Sequence, residues 1–275
     1  MSCGQIALKK NNINIDKYFA SEIDKYAIKV TQNNHPDTIQ LGDVTTWRDW
    51  DLPKIDLLIG GSPCQGFSLA GKGLNFDDPR SKLFFEYVDI LKSVKPKFFL
   101  LENVRMKKEH EDVITDYLGV EPIEINSSLV SAQNRVRLYW TNIPDVGLPE
   151  DKGVTLKDIF DYHPLTNWEQ KFDFSGKHPY IEEYIKIDRK GNLKHNQSKA
   201  SCLTGGHRGD GNHSDMDLIV HKDQSVRRYS PIECERLQTL PDNYTEGVSN
   251  TQRYKMLGNG WTVDVIAHIL KNISQ

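Results

Sequence analysis

Ile55-Asp56-Leu57-Leu58-Ile59-Gly60-Gly61-Ser62-Pro63-Cys64-Gln65-Gly66-Phe67-Ser68 is a short apolar run that enters a glycine-rich loop. A run of this kind, bounded by glycines, reads as a strand buried on both faces. The glycines let the backbone turn sharply beside a ligand, and Pro63 fixes the angle at which the chain reaches Cys64. A cysteine in a polar loop just past a strand suits a reactive, exposed thiol better than core packing. Downstream, Ser81 to Val94 has helical spacing, with Ser81 as cap and Leu83, Phe84, Tyr87, Val88 and Leu91 on one face. Lys97 to Leu101 is a second buried strand that ends at Glu102. Upstream, Lys17 to Ser21 and Ile39 to Leu41 read as strands around a helix from Asp24 to Asn33, with Asp24 as its cap. This alternation predicts an α/β fold: a mostly parallel, doubly wound, Rossmann-like sheet. Ligands in such sheets bind beyond the carboxyl ends of the strands. Glu22, Asp43, Cys64 and Glu102 all fall there.

After Asn142 the pattern changes. Pro144 to Val226 is rich in Gly, His, Asn and Lys, and reads as a smaller, loop-rich domain. Helical character returns from Ser230, and Thr262 to Ile273 is an amphipathic helix. The expected organisation is 1–143, 144–226 and 227–275, the last segment completing the first domain. From Lys186 to Arg208, within the small domain, Lys186, Arg189, Lys190, Lys194, Lys199 and Arg208 stand against a single acidic residue, Asp188. That local excess suits phosphate contacts, although a net charge of −3 argues against indiscriminate coating of nucleic acid.

No apolar run reaches the 18 residues of a membrane span, and Lys9-Lys10-Asn11-Asn12 interrupts anything like a signal peptide. A cytoplasmic location is expected. The four cysteines, Cys3, Cys64, Cys202 and Cys234, form no Cys-x-x-Cys pair, so neither a disulfide framework nor a zinc site is expected. His207, His213 and His221 lie near Cys202 without the spacing of a metal motif. No metal is expected.

Several motifs occur in a telling order: Pro63-Cys64-Gln65, Glu102-Asn103-Val104, Gln133-Asn134-Arg135-Val136-Arg137, the segment Arg227 to Asp242, and Gly258-Asn259-Gly260. In this order they resemble the DNA cytosine C5-methyltransferases, over nearly the whole chain apart from the small domain. The resemblance implies S-adenosylmethionine as methyl donor and duplex DNA as substrate. It implies that Cys64 adds to C6 of cytosine and that Glu102 holds the N3/N4 edge. It implies that Arg137 supports the developing charge, with Arg135 as the further catalytic candidate. Arg135 and Arg137 are expected on opposite sides of their strand, with Arg137 the one that points into the pocket. For the cofactor, Glu22 matches the ribose-binding carboxylate, Ile23 the residue packed on adenine, and Asp43 the acceptor for the adenine amino group. Pro63, Leu83 and Asn259 match positions at the methionine end. A base inside a duplex must be flipped out to reach a buried thiol. Gln65, Ser68, Lys199 and Arg208 are therefore the expected DNA contacts, the last able to read a guanine edge. The chain is expected to act as a monomer, with a restriction endonuclease as a separate counterpart.

Two departures stand out. The family opens with an apolar strand ending in Phe-x-Gly, whereas Met1 to Leu8 resembles only the turn and helix that follow it. Either Met1 is an internal methionine of a longer frame, or the polypeptide binds cofactor poorly. The second departure is Gly260-Trp261, where the family more often has a small polar residue and then an aliphatic one. Two other functions stay open on the sequence: a tRNA cytosine methyltransferase of the same fold, and a non-catalytic DNA-binding remnant.

Overall fold

The computed structural model describes residues 1–61, 79–161, 185–187, 193–194, 198–205, 216–220 and 226–274. The chain opens with α1 (Cys3–Lys10), β1 (Phe19–Ala20), α2 (Lys25–Asn34) and β2 (Ile39–Gln40). It continues through β3 (Leu57–Gly61), α3 (Pro79–Val94), β4 (Phe98–Val104), α4 (Lys108–Leu118), β5 (Ile123–Asn126) and β6 (Val136–Thr141). A short α5 (Leu156–Ile159) precedes β7 (Ile185–Ile187), β8 (Leu193–Lys194), β9 (Met216–Val220) and β10 (Val226–Arg227). Helices α6 (Pro231–Leu237), α7 (Asn250–Asn259) and α8 (Val263–Leu270) follow.

The central sheet has the order β3-β4-β6-β5. β3 and β4 are parallel, but β6 runs antiparallel to both β4 and β5. Three of its four strands, β3, β4 and β5, thus run the same way, as expected, and the reversed β6 alone makes the sheet mixed. The cause is the connection between β5 and β6, which holds only one 3-10 turn, Ser127–Leu129. A parallel crossover takes about a dozen residues or more. β1 and β2 form a separate parallel pair, and no strand among the described residues joins β1 to β3. Helix α1 reaches both, since Gly4 lies between Ile59 of β3 and Tyr18 just before β1. A second, antiparallel sheet has the order β10-β9-β7-β8.

Alternation along the strands divides the core in two. Phe98 and Leu100 of β4, Tyr139 of β6 and Leu57 and Ile59 of β3 face α1, α6, α7 and α8. Phe99, Leu101, Leu138, Trp140 and Leu58 face α3 and α4. The near-continuous apolar character of β4 follows from burial on both sides. Leu156, Ile159 and Ala200 belong to the first cluster, so parts of 144–226 pack into the main core. Local chemistry fixes the helix ends. Asp24 caps α2 by accepting from Tyr26 N at 2.9 Å. Ser230 and Glu233 form a capping box on α6, with Pro231 in its first turn. Among the described residues, no helix is long and apolar enough to cross a membrane.

Candidate active site

Glu102 lies on β4, opposite Gly61 of β3 and Tyr139 of β6. Its side chain points to the α1/α8 face and is almost fully buried. Both carboxylate oxygens are engaged. Arg137 Nε approaches Oε1 at 2.9 Å, and the indole Nε1 of Trp261 donates to Oε2 at 3.0 Å. The carboxylate and the indole pack closely over Gly61. A Cβ there would sit 3.0 Å from Oε2 and 3.3 Å from the indole nitrogen.

Residues two apart on a strand share a face. Arg135 and Arg137 accordingly lie on the same side of their segment, which corrects the expectation that they face opposite ways. Both guanidinium groups flank the sulfur of Cys202, at 3.3 Å from Arg135 Nη1 and 3.7 Å from Arg137 Nη2. What separates them is their partners. Arg137 reaches Glu102, whereas Arg135 donates to the carbonyls of Leu203 at 2.8 Å, Gly258 at 3.1 Å and Gly260 at 2.8 Å. Burial, and then the like charge of Arg137, lower the pKa of Arg135. Burial of Arg137 is more than offset by Cys202 and Glu102, which leaves its pKa raised. Arg135 thus brackets the Gly258–Gly260 turn from inside the protein.

Glu22 and Asp43 follow the ends of the paired strands β1 and β2. Ser21 Oγ donates to Gly42 O at 2.8 Å and ties the two strand ends together. Glu22 Oε1 accepts from the amides of Ile23 at 2.8 Å and Asp24 at 2.9 Å. Asp43 accepts from the amide and the hydroxyl of Thr45, and these two bonds hold its carboxyl below the usual range. Ile23 is 74% exposed, unusual for a large apolar side chain beside two carboxylates. Two acceptors and an exposed apolar surface at neighbouring strand ends fit the ribose, amino group and ring face of an adenosine. Leu83 is half-buried in α3, and Asn259 is exposed at the end of α7.

Lys199 takes a different role from the expected one. Its ammonium group donates to the carbonyls of Ser128, Ser131 and Val154 at 2.6, 3.0 and 2.5 Å. An ammonium has three protons, and all three are directed at backbone. The reading of Lys199 as a phosphate contact gives way to that of an internal bracket. Pro63, Cys64, Gln65, Ser68 and Arg208 lie outside the described residues. Trp261 is the residue whose part in the site the motif reading missed; its departure from the usual pattern was the available signal.

The sequence model for C-5 cytosine-specific DNA methylases matches residues 1–120 and 123–275. The chain belongs to that family. It is a DNA cytosine-5 methyltransferase, with S-adenosylmethionine as its methyl donor. Type II methyltransferase M1.ScrFI of Lactococcus lactis subsp. cremoris is 34% identical over 292 residues, covering 94% of this chain and 72% of its own. Type II methyltransferase M.NlaX of Neisseria lactamica is 31% identical, covering 93% of this chain and 87% of its own. Among solved structures, the Entamoeba histolytica methyltransferase EhMeth aligns over 99% of this chain and 96% of its own, with a TM-score of 0.73 and 17% identity. A putative DNA modification methyltransferase from an Escherichia coli prophage aligns over the same shares, with a TM-score of 0.71 and 21% identity. At these identities the two structures speak for the fold alone.

Proposed function

We propose that this enzyme modifies cytosine within a specific short duplex sequence, as a monomer in the cytoplasm. A restriction endonuclease of the same specificity would act separately. The relatives named as type II methyltransferases support that setting. The observation that carries the catalytic reading is Glu102, buried at a strand end with Arg137 on one oxygen and Gly61, three positions before Cys64 in the sequence, opposite it on β3.

Cytosine C5 is too poor a nucleophile to accept a methyl group unaided. Cys64, as thiolate, adds to C6 and turns the ring into an enamine-like nucleophile at C5. Glu102 accepts from the N4 amino group and shares a proton with N3 as charge builds on the ring. Arg137 keeps Glu102 oriented and offsets the negative charge. S-adenosylmethionine, when bound, supplies an electrophilic methyl group on a sulfonium. Glu22, Ile23 and Asp43 would hold its adenosine, with Pro63, Leu83 and Asn259 towards the other end. Loss of the C5 proton and departure of Cys64 restore the aromatic base. Target recognition falls to the small domain within 144–226, with Gln65, Ser68 and Arg208 as the DNA contacts.

A duplex containing 5-fluorocytosine tests the reading, because fluorine at C5 cannot leave as a proton. The chain is expected to form a covalent adduct that survives denaturing electrophoresis. Cys64→Ser should form none. A wild-type chain without adduct in the presence of cofactor, or a serine variant that still methylates, would overturn it.

A further inference from the structure

Trp261 follows a turn that is anchored on both sides. The carbonyl of Gly260 accepts from Arg135 Nη2 at 2.8 Å, and the hydroxyl of Thr262 donates to Gln238 Oε1 at 2.8 Å. Gln238 also donates to Leu257 O at 2.6 Å, and Ser127 Oγ donates to Thr262 Oγ1 at 2.9 Å. Gln238, Ser127 and Thr262 are all fully buried. The backbone on either side of the indole is therefore held by a connected, satisfied network, the kind of support that locks a rotamer. From this fixed base the ring spans the gap above Gly61 and places its N–H on Glu102 Oε2.

An indole N–H is a donor only and exchanges no proton in catalysis. Its effect is on orientation. A carboxylate presents about four acceptor positions, two on each oxygen. Arg137 pairs with Oε1 by charge, its Nε at 2.9 Å, and Trp261 takes one acceptor position on Oε2, so both oxygens keep an acceptor position for a ligand. An aminopyrimidine edge that presents N4–H and a protonated N3 needs two acceptors side by side. A carboxylate held at both oxygens offers that pair in a single plane.

We propose that Trp261 is a positioning residue for Glu102, one jaw of a clamp whose other jaw is Arg137, setting the carboxylate plane for the N3/N4 edge of cytosine. The proposal rests on the catalytic reading of Glu102 above, and its test separates the two. In a 15N-labelled chain the indole resonance of Trp261, identified by its loss in Trp261→Phe, is expected to move when Glu102 is changed to Gln. The other four tryptophans of the chain should stay in place. This readout needs no turnover, so it judges the clamp even if no DNA adduct forms. The second arm places benzothienylalanine at 261, which keeps the ring volume and replaces N–H by sulfur. Single-turnover methylation is expected to fall by about 100-fold, the scale of a misplaced catalytic group, while cofactor affinity stays within about twofold. An unmoved indole resonance in Glu102→Gln overturns the proposal. So does a benzothienyl variant that methylates at the wild-type rate.

Discussion

Two buried ionisable residues outside the site carry distinct physical consequences. Glu235 is fully buried and accepts from Arg253 Nη2 at 2.9 Å, from the amides of Asn243 and Thr245, and from the Thr245 hydroxyl. Removing it strands a mostly buried guanidinium. Glu235→Ala is expected to cost about 3–5 kcal/mol, measured by urea unfolding. His35 is the second case. Burial, then the Lys9 ammonium and the chain's N-terminal charge, depress its pKa from 6.5 to about 4. Its Nδ1 lies 3.3 Å from Lys9 Nζ, and the ring packs against Tyr244. The folded state therefore holds His35 neutral where the unfolded chain protonates it. The stability this gives is complete above about pH 6.5 and is lost as pH falls towards 4. Melting temperatures of wild type and His35→Gln, compared across that window, should show a shallower acid limb in the variant. Lys199 shows what a sequence hides at this scale. Its charge fits a phosphate contact as well as it fits three carbonyls, and those carbonyls come from 45 to 71 residues away. Trp261 likewise meets Glu102 across 159 residues.

At the scale of elements, the end of α7 and the segment 203–205 touch backbone to backbone. A Cβ on Gly258 would fall 2.2 Å from Thr204 C and 2.3 Å from Gly205 N. Neither is the flexible tip of a side chain, so the segment must move. Gly258→Ala is expected to destabilise the protein by about 1–3 kcal/mol and to displace the Cys202 side of the site. Urea unfolding gives the first quantity, and faster alkylation of Cys202 reports the second. Much at this scale was legible beforehand. The runs at Ile55–Ile59 and Lys97–Leu101, and the residues at their carboxyl ends, follow from apolar patterning and glycine placement. The direction of β6 did not, because alternation is the same whichever way a strand runs. Only its pairing with β4 and β5 fixes that.

For the whole molecule, the described strands leave the β1–β2 pair separate from the four-stranded sheet that begins at β3. Asp56 O accepts from Phe98 N, so in the alternation of a strand the amides of Leu57 and Ile59 point away from β4. Among the described residues no strand meets them there. Hydrogen exchange at these two amides is expected to run orders of magnitude faster than at Leu100 in β4, which has neighbours on both sides. The two faces of the sheet also divide their tasks. Glu102, Arg137 and Trp261 hang from the α1/α8 side, while Ile114, fully buried in α4, belongs to the other cluster. Ile114→Ala should cost about 2–5 kcal/mol in chemical denaturation yet leave the rate per folded molecule unchanged.

That division gives the protein a chassis and a workbench. The cluster of Phe99, Leu101, Ile114, Leu138 and Trp140 can be repacked for heat tolerance, or drift through apolar replacements, without retuning the chemistry carried on the reverse side. Substitutions within that cluster should lower thermal stability while sparing the rate per folded molecule.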